Sequence, residues 1–157
     1  MTTTITIGHG EFAFSAAHSG VHAGQFERLH GHTYIVELHL TGTLDKDGMI
    51  ADFAAVKGTL RAALAPLRKR TLFASDTPGV TIEHAGSQVV IRGAGKVYNL
   101  PADDVMLLPT TSTSTEAIAG YLLDQIVEQL RPTSGLAEVE LQLTESLDSS
   151  VRVKAPL

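Results

Sequence analysis

Two histidines separated by a single residue, His30 and His32, have a spacing that suits chemistry. In an extended chain, side chains at i and i+2 lie on the same face of the sheet, so both imidazoles can point at one place. A third histidine, His18, ends an apolar run over residues 12–18. If the two segments pair as neighbouring strands, three imidazoles converge and a fourth position stays open, which is typical of catalytic zinc. Spacing alone is equally consistent with three unrelated strand histidines.

Strands are needed to bring these histidines together, and alternating apolar residues predict them on both sides of a short loop. The first strand is predicted over residues 3–17, with a bulge near its glycines, and the second over residues 33–43. His32 lies on the same face of the second strand as its alternating apolar residues. The face that would bind the metal is therefore also the face that packs on the core. Two closing strands are predicted at residues 137–144 and 151–153.

Two helices are predicted from apolar residues at helical spacing. The first begins at Phe53, after Asp52, whose carboxylate can accept from the free N–H groups of the first turn. It ends shortly before Pro66. The second begins with residues 113–116, in which Thr113 and Glu116 have the spacing of a capping box.

This order of elements predicts an α+β fold, in which two helices cover one face of a four-stranded antiparallel sheet. Residues 75–109 interrupt the order, and their short alternating segments, prolines and glycines predict a β-hairpin insertion. The insertion has too few apolar residues for a core of its own, so we expect a single domain over residues 1–157. Association into a homo-oligomer would cover the second face of the sheet.

Composition excludes several classes of function. The 157 residues carry a formal net charge of −5 and include no cysteine. The chain therefore offers no general attraction to nucleic acid or to an anionic membrane, and it has no disulfide or thiolate chemistry. No apolar run is long enough to cross a bilayer, and the N-terminus lacks the pattern of a signal peptide. We expect a cytoplasmic location and a metal site built from nitrogen and oxygen ligands.

Five short segments occur in an order typical of one enzyme family. They are residues 14–18 (FSAAH), 29–34 (LHGHTY), 48–53 (GMIADF), 114–116 (STE) and 143–146 (LTES). With these segments the chain resembles the 6-pyruvoyl-tetrahydropterin synthase family, which includes the 6-carboxy-tetrahydropterin synthases. The resemblance covers most of the chain apart from the insertion. It implies a tunnelling-type fold, in which three subunits join their sheets into a barrel and two such trimers form a hexamer.

The resemblance also implies a Zn²⁺ site and a pterin site. The positions that match the family's zinc ligands are His18, His30 and His32. The substrate-binding positions that it implies are Glu145, Thr144 and Thr115. A carboxylate suits this role because it accepts two parallel hydrogen bonds, and the amino-pyrimidine edge of a pterin presents such a pair of N–H groups.

Two departures from the family pattern concern the catalytic groups. Members that form the pyruvoyl product carry a cysteine shortly before the HGH segment, whereas this chain has Glu27 there. It resembles a branch in which glutamate replaces the cysteine and the side chain is cleaved to leave 6-hydroxymethyl-dihydropterin. From the residues alone, Glu27 is equally consistent with a general base and with a solvated loop residue.

The second departure follows the first helix, where the family has an Asp-His pair that assists proton transfer. Here Arg68 and Lys69 occupy those positions, and neither side chain is a base near neutral pH in its ordinary state. The basic cluster at residues 68–70 suits either the triphosphate tail of a substrate or a solvated helix end.

The sequence therefore favours a zinc-dependent pterin lyase that acts on 7,8-dihydroneopterin or its triphosphate, with Glu27 as the catalytic residue. The alternative is a homologue that binds zinc and a pterin but has lost the family's turnover, or acts on a different substrate. Only small-molecule ligands and further copies of the chain are expected as partners.

Overall fold

The fold is described from a computed structural model that covers residues 1–133 and 135–157. The strands are, in chain order, β1 (Thr3–His18), β2 (Val21–His22), β3 (Gln25–Phe26), β4 (His30–Gly42), β5 (Thr71–Ala74), β6 (Val80–Ala85), β7 (Gln88–Gly93), β8 (Lys96–Pro101), β9 (Val105–Leu108), β10 (Leu136–Ser146) and β11 (Ser149–Pro156). The α-helices are α1 (Phe53–Leu64) and α2 (Thr115–Leu130). Among these described helices, none is long and apolar enough to span a membrane.

The main sheet has six strands in the order β11-β10-β4-β1-β5-β9. Its first four strands are antiparallel, as predicted, but β5 and β9 run parallel to β1. The prediction of a four-stranded, wholly antiparallel sheet was therefore wrong. The two added strands are short continuous apolar runs at the borders of the insertion, and β5 is buried over Leu72–Ala74. Such runs lack the alternation that marks a half-exposed strand.

The two helices pack against one face of this sheet and form the main core with it. The Asp52 carboxylate accepts from the Ala54 N–H at 2.8 Å, so the predicted cap of α1 is confirmed. The capping box predicted for α2 was wrong, because Ser114 is the N-cap and accepts from the Ala117 N–H. Thr113 lies one residue earlier and is buried, where its carbonyl faces the histidines described below.

Strands β1 and β4 form the longest ladder in the sheet, and this ladder positions the histidines. Its register shifts between Gly8 and Ala13, which confirms the predicted bulge. Beyond the bulge the pairing is regular to the end of both strands. There His18 lies directly opposite His30.

The insertion forms a three-stranded antiparallel sheet, β6-β7-β8, rather than a single hairpin. One face of this sheet joins a second buried apolar cluster, which also contains residues from outside the insertion. The buried members of the cluster are Phe26, Phe73, Val89 and Ile91. The insertion is therefore packed against the loop that connects β1 to β4.

Candidate metal and substrate site

The three predicted histidines converge at one end of the β1–β4 ladder. Within the described residues, one ligand atom from each of His18, His30 and His32 lies within 4.8 Å of the others. Their ring centroids are 4.5 to 5.4 Å apart. The strands come close together here because Gly31 has no side chain. A Cβ at Gly31 would lie 3.1 Å from the Ala16 carbonyl oxygen.

Backbone carbonyls fix the tautomers of two of these imidazoles. The Nδ1–H of His18 donates to the Thr113 carbonyl at 3.0 Å, and the Nδ1–H of His30 donates to the Arg28 carbonyl at 2.7 Å. In both rings the lone pair is then on Nε2. This is the usual second-shell arrangement of a metal-bound histidine, in which the other ring nitrogen donates to a carbonyl or carboxylate.

The state of His18 tests whether the site fits a metal ion. Its Nε2 is buried and has no hydrogen-bond partner in the part of the chain that the structure describes, although a buried polar atom without a partner is costly. Burial lowers the pKa of His18, and the neighbouring His30 and His32 lower it further. Both effects favour neutral imidazole, which is the form that binds zinc. The three residues fit a metal ion.

The histidines open into a cleft of about 590 Å³. Glu145 lies at the end of β10, and its Oε1 is 3.5 Å from Nε2 of His32. Glu27 is contributed by the loop before β4, and Thr115 by the first turn of α2. The remaining lining residues are Ser114, Glu116, Asp148, Ser149, Ser150 and Val151. The cleft thus combines a cation site with several carboxylates.

Tyr34 lies beneath the histidines on the core face of β4. Its ring is stacked on Phe14 at 5.0 Å and makes an edge contact with His32 at 5.6 Å. Burial raises the pKa of Tyr34, and the charges of Glu145 and Glu27 raise it further. The phenol therefore stays neutral, and its ring packs against His32 from the core side.

The basic cluster at residues 68–70 lies away from this cleft. The Arg68 guanidinium donates to the Glu11 carbonyl at 2.7 Å. Lys69 and Arg70 line a second opening of about 580 Å³, together with Ser15, Gly31 and Thr33. His32 lines both this opening and the histidine cleft. Alternation along β4 places Gly31 and Thr33 on the opposite face from His30 and His32.

A family model described as 6-pyruvoyl tetrahydropterin synthase matches residues 8–156. The chain belongs to this family. A relative in Methanocaldococcus jannaschii, provisionally named a 6-carboxy-5,6,7,8-tetrahydropterin synthase, is 26% identical over 142 residues, which are 88% of this chain and 87% of the relative.

Solved structures of the family have the same fold. The 6-pyruvoyl tetrahydropterin synthase of Plasmodium vivax superimposes with a TM-score of 0.94 at 26% identity, over 100% of this chain and 99% of that one. The Plasmodium falciparum protein of the same name gives 0.92 at 25% identity, over 99% of each chain. A variant of the Plasmodium vivax protein, with alanine in place of a glutamate, is described as a catalytic residue mutant. It gives 0.93 at 25% identity, over 100% of this chain and 99% of that one.

Most site residues predicted for this family member line one cleft; the exception is Thr144. It pairs with Ile35 and Ser150 in the sheet, and it is not among the cleft-lining residues that the structure describes. Sequence reasoning missed the turn at residues 147–148, the start of β11 that follows it, and the backbone carbonyl of Thr113. The turn has no motif that separates it from an ordinary hairpin end, and a carbonyl acceptor leaves no signal in residue type.

Proposed function

We propose that the chain is a zinc-dependent pterin lyase that acts on 7,8-dihydroneopterin or its triphosphate. The observation that carries the proposal is that three histidines converge in one cleft that Glu145 and Glu27 also line. Among the described residues, the buried Nε2 of His18 has no hydrogen-bond partner. Family membership supports a pterin as the substrate class. Glu145 would bind the pterin ring, and Glu27 would transfer the proton.

His18, His30 and His32 would hold the zinc ion. When bound, zinc supplies Lewis-acid polarisation of the hydroxyl groups on the substrate side chain. The protein supplies the orientation, because the Thr113 and Arg28 carbonyls keep the imidazole rings of His18 and His30 in place.

Glu145 would accept hydrogen bonds from the amino-pyrimidine edge of the pterin. Its carboxylate is about one-quarter exposed and lies beside His32, in the cleft that the three histidines also line. Thr115 lines the same cleft, at the start of α2, and we assign it to the polar edge of the ring. Thr144 was predicted to bind the substrate; because it lies outside the cleft lining, we assign it instead to placing the adjacent Glu145 through its pairing in β10.

Glu27 would act as the general base. If its carboxylate accepts the proton of a side-chain hydroxyl, the adjacent carbon–carbon bond can break to leave an aldehyde fragment. Returning that proton to the carbon attached to the ring completes a 6-hydroxymethyl group. The Plasmodium vivax variant described as a catalytic residue mutant replaces the same residue type.

Product analysis tests this proposal. Zinc-loaded protein is incubated separately with 7,8-dihydroneopterin and with its triphosphate, and products are identified by mass spectrometry. We expect a 6-hydroxymethyl product with the wild type and only a small residual rate of its formation with Glu27→Gln. If neither a hydroxymethyl nor a pyruvoyl product forms while pterin still binds, the lyase proposal is refuted.

The second candidate is a zinc- and pterin-binding homologue without the family's turnover. One observation favours it: Arg68 and Lys69 replace the Asp-His pair, and neither residue lies in the histidine cleft. Under this candidate, pterin fluorescence titrations would show binding, while product analysis would show unchanged substrate.

We also infer that copies of the chain associate through their sheets, as the trimer and hexamer of the family pattern imply. β11 has β10 as its only neighbour in the described sheet, so its outer edge is free to pair. Ile35 is 40% exposed on the face that the helices do not cover. Light scattering during size-exclusion chromatography should give a trimer or a hexamer, and a monomer would contradict this inference.

A further inference from the structure

We propose that the insertion holds Glu27 in position, with Lys96 and Tyr98 of β8 as positioning residues. This inference rests on the proposed role of Glu27 as the general base. It assigns a role to the insertion, which contains none of the five short segments typical of the family. The argument depends on how the loop between β1 and β4 is held on each side of Glu27.

Phe26 anchors the loop immediately before Glu27. Its side chain is 7% exposed and makes edge contacts with Phe73, at a centroid distance of 6.1 Å, and with Tyr98, at 5.4 Å. Its backbone N–H donates to the Ala94 carbonyl, in the turn between β7 and β8, at 3.0 Å. The residue that precedes the catalytic candidate is therefore buried against the insertion and hydrogen-bonded to it.

The backbone of Glu27 itself is bound at both of its polar groups. Its N–H donates to the Gly20 carbonyl at 2.9 Å. Its carbonyl accepts from Ser19 Oγ at 2.9 Å, from the Lys96 ammonium, and from the Tyr98 hydroxyl at 3.4 Å. The Tyr98 hydroxyl is also 3.0 Å from Ser19 Oγ. Because Ser19 donates its one proton to the Glu27 carbonyl, Tyr98 shares its own proton between Ser19 Oγ and that carbonyl.

This network also connects Glu27 to the candidate metal site. Ser19 is 2% exposed and directly follows His18 in the chain. One hydroxyl thus links the strand that bears a metal-ligand candidate to the backbone of the candidate base. The insertion contributes the other two donors, and one of them carries a positive charge that strengthens the hydrogen bond. The Cα of Glu27 is therefore fixed relative to the histidines, and only its side chain remains free to rotate.

Positioning of this kind has a kinetic signature. A base displaced by about 1 Å can lose roughly 100-fold in rate while the substrate is still bound, because reacting atoms must be aligned closely. Loss of the clamp should therefore lower kcat and leave KM nearly unchanged. A role limited to folding would instead lower the amount of active enzyme and leave the kcat per active site unchanged.

Two variants remove the donors with little change of packing. Tyr98→Phe keeps the ring contacts with Phe26 and Phe73, and Lys96→Met keeps an unbranched side chain. We expect each to lower kcat by about 10-fold and the double variant by about 100-fold, with KM within about threefold, measured with dihydroneopterin triphosphate and zinc-loaded protein. Lys96→Arg keeps a charged donor, so it should retain most of the kcat that Lys96→Met loses.

The controls are Asn99→Ala, on the opposite face of β8, and Lys46→Met, an exposed lysine in another turn. Both should behave as wild type. Unchanged kcat in the double variant overturns the inference, and so does an equal loss in the controls.

The Glu27→Gln background separates this inference from the proposed function. If Lys96 and Tyr98 act through Glu27, their substitutions should cause no further loss of residual turnover in Glu27→Gln. Further loss of about 10-fold or more in that background overturns the inference alone. Full activity in Glu27→Gln itself overturns both.

Hydrogen exchange measures the clamp independently of turnover. In the double variant the amides of residues 21–27 should exchange about fivefold to tenfold faster than in the wild type, because the carbonyl of Glu27 loses two donors. Unchanged exchange overturns the inference even if every variant is inactive.

Discussion

The His30→Ala variant tests the metal site with little disturbance of the fold. His30 is exposed, whereas His18 is 5% exposed and packed in the core. Removal of an exposed side chain usually changes the free energy of unfolding by less than about 0.5 kcal/mol. In the metal-free protein, His30→Ala should therefore unfold within about 2 °C of the wild type.

Added zinc should separate the two proteins. At a free zinc concentration of about 100 times Kd, binding to the native state alone stabilises it by about 2.7 kcal/mol. For a chain of 157 residues, each 1 kcal/mol corresponds to about 2–4 °C in Tm, so the wild type should gain about 5–11 °C. His30→Ala has lost one of three ligands and should show no gain at the same concentration.

The assay is thermal unfolding after chelator treatment, with and without added zinc, combined with metal analysis of the purified proteins. His22→Ala is the matched control, because it removes an exposed imidazole of β2 that is not part of the histidine cluster. The control should keep the full zinc-induced gain. If His30→Ala keeps both its zinc content and its Tm gain, the assignment of this ligand is wrong.

Three further predictions concern the elements around the site. Asp52→Ala should lower the free energy of unfolding by about 1 kcal/mol in urea denaturation, because the N-cap of α1 is lost; no change would contradict that cap. Glu145→Gln should weaken pterin binding by about 10-fold or more in fluorescence titrations, since a charged acceptor is replaced by a neutral one; unchanged affinity would remove Glu145 from the substrate site. Hydroxyl donors at Ser146 and Ser149 hold the pKa of Asp148 below its usual value of 3.8, so any stabilisation from this carboxylate is present above about pH 3.8 and is lost as pH falls through the lower folded-state value. Ser146→Ala should move the pKa of Asp148 upward in an NMR titration, and an unmoved pKa would refute this cause.

The three histidines could be predicted from the sequence because they lie on two strands that alternate in a regular way. His30 and His32 share a face for a purely local reason, the twofold repeat of a strand. His18 could be added because the strand that it ends is the neighbour of β4. The family resemblance then supplied Glu145 and Thr115, whose places in the cleft depend on contacts between distant parts of the chain.

The missing parts of the prediction depend on long-range packing. Strands β5 and β9 pair over Thr71–Ala74 and Val105–Leu108, and no local pattern marks two short apolar runs as parallel neighbours. The N-cap of α2 is Ser114 rather than Thr113, and the Thr113 carbonyl accepts a hydrogen bond from His18. Neither the clamp on Glu27 nor the carbonyl partners of the imidazoles could be predicted, since each joins segments far apart in the sequence.

The parallel pairing of β5 with β9 limits how short the connection between them can be. Antiparallel neighbours can be joined by two residues, but parallel neighbours require a crossover of a dozen residues or more. Residues 75–104 are that crossover, made here from a small sheet where a helix is more common. An engineered deletion that left only a tight turn would detach β9 and expose Leu108, which is fully buried. The insertion therefore cannot be shortened below the length that a parallel crossover requires.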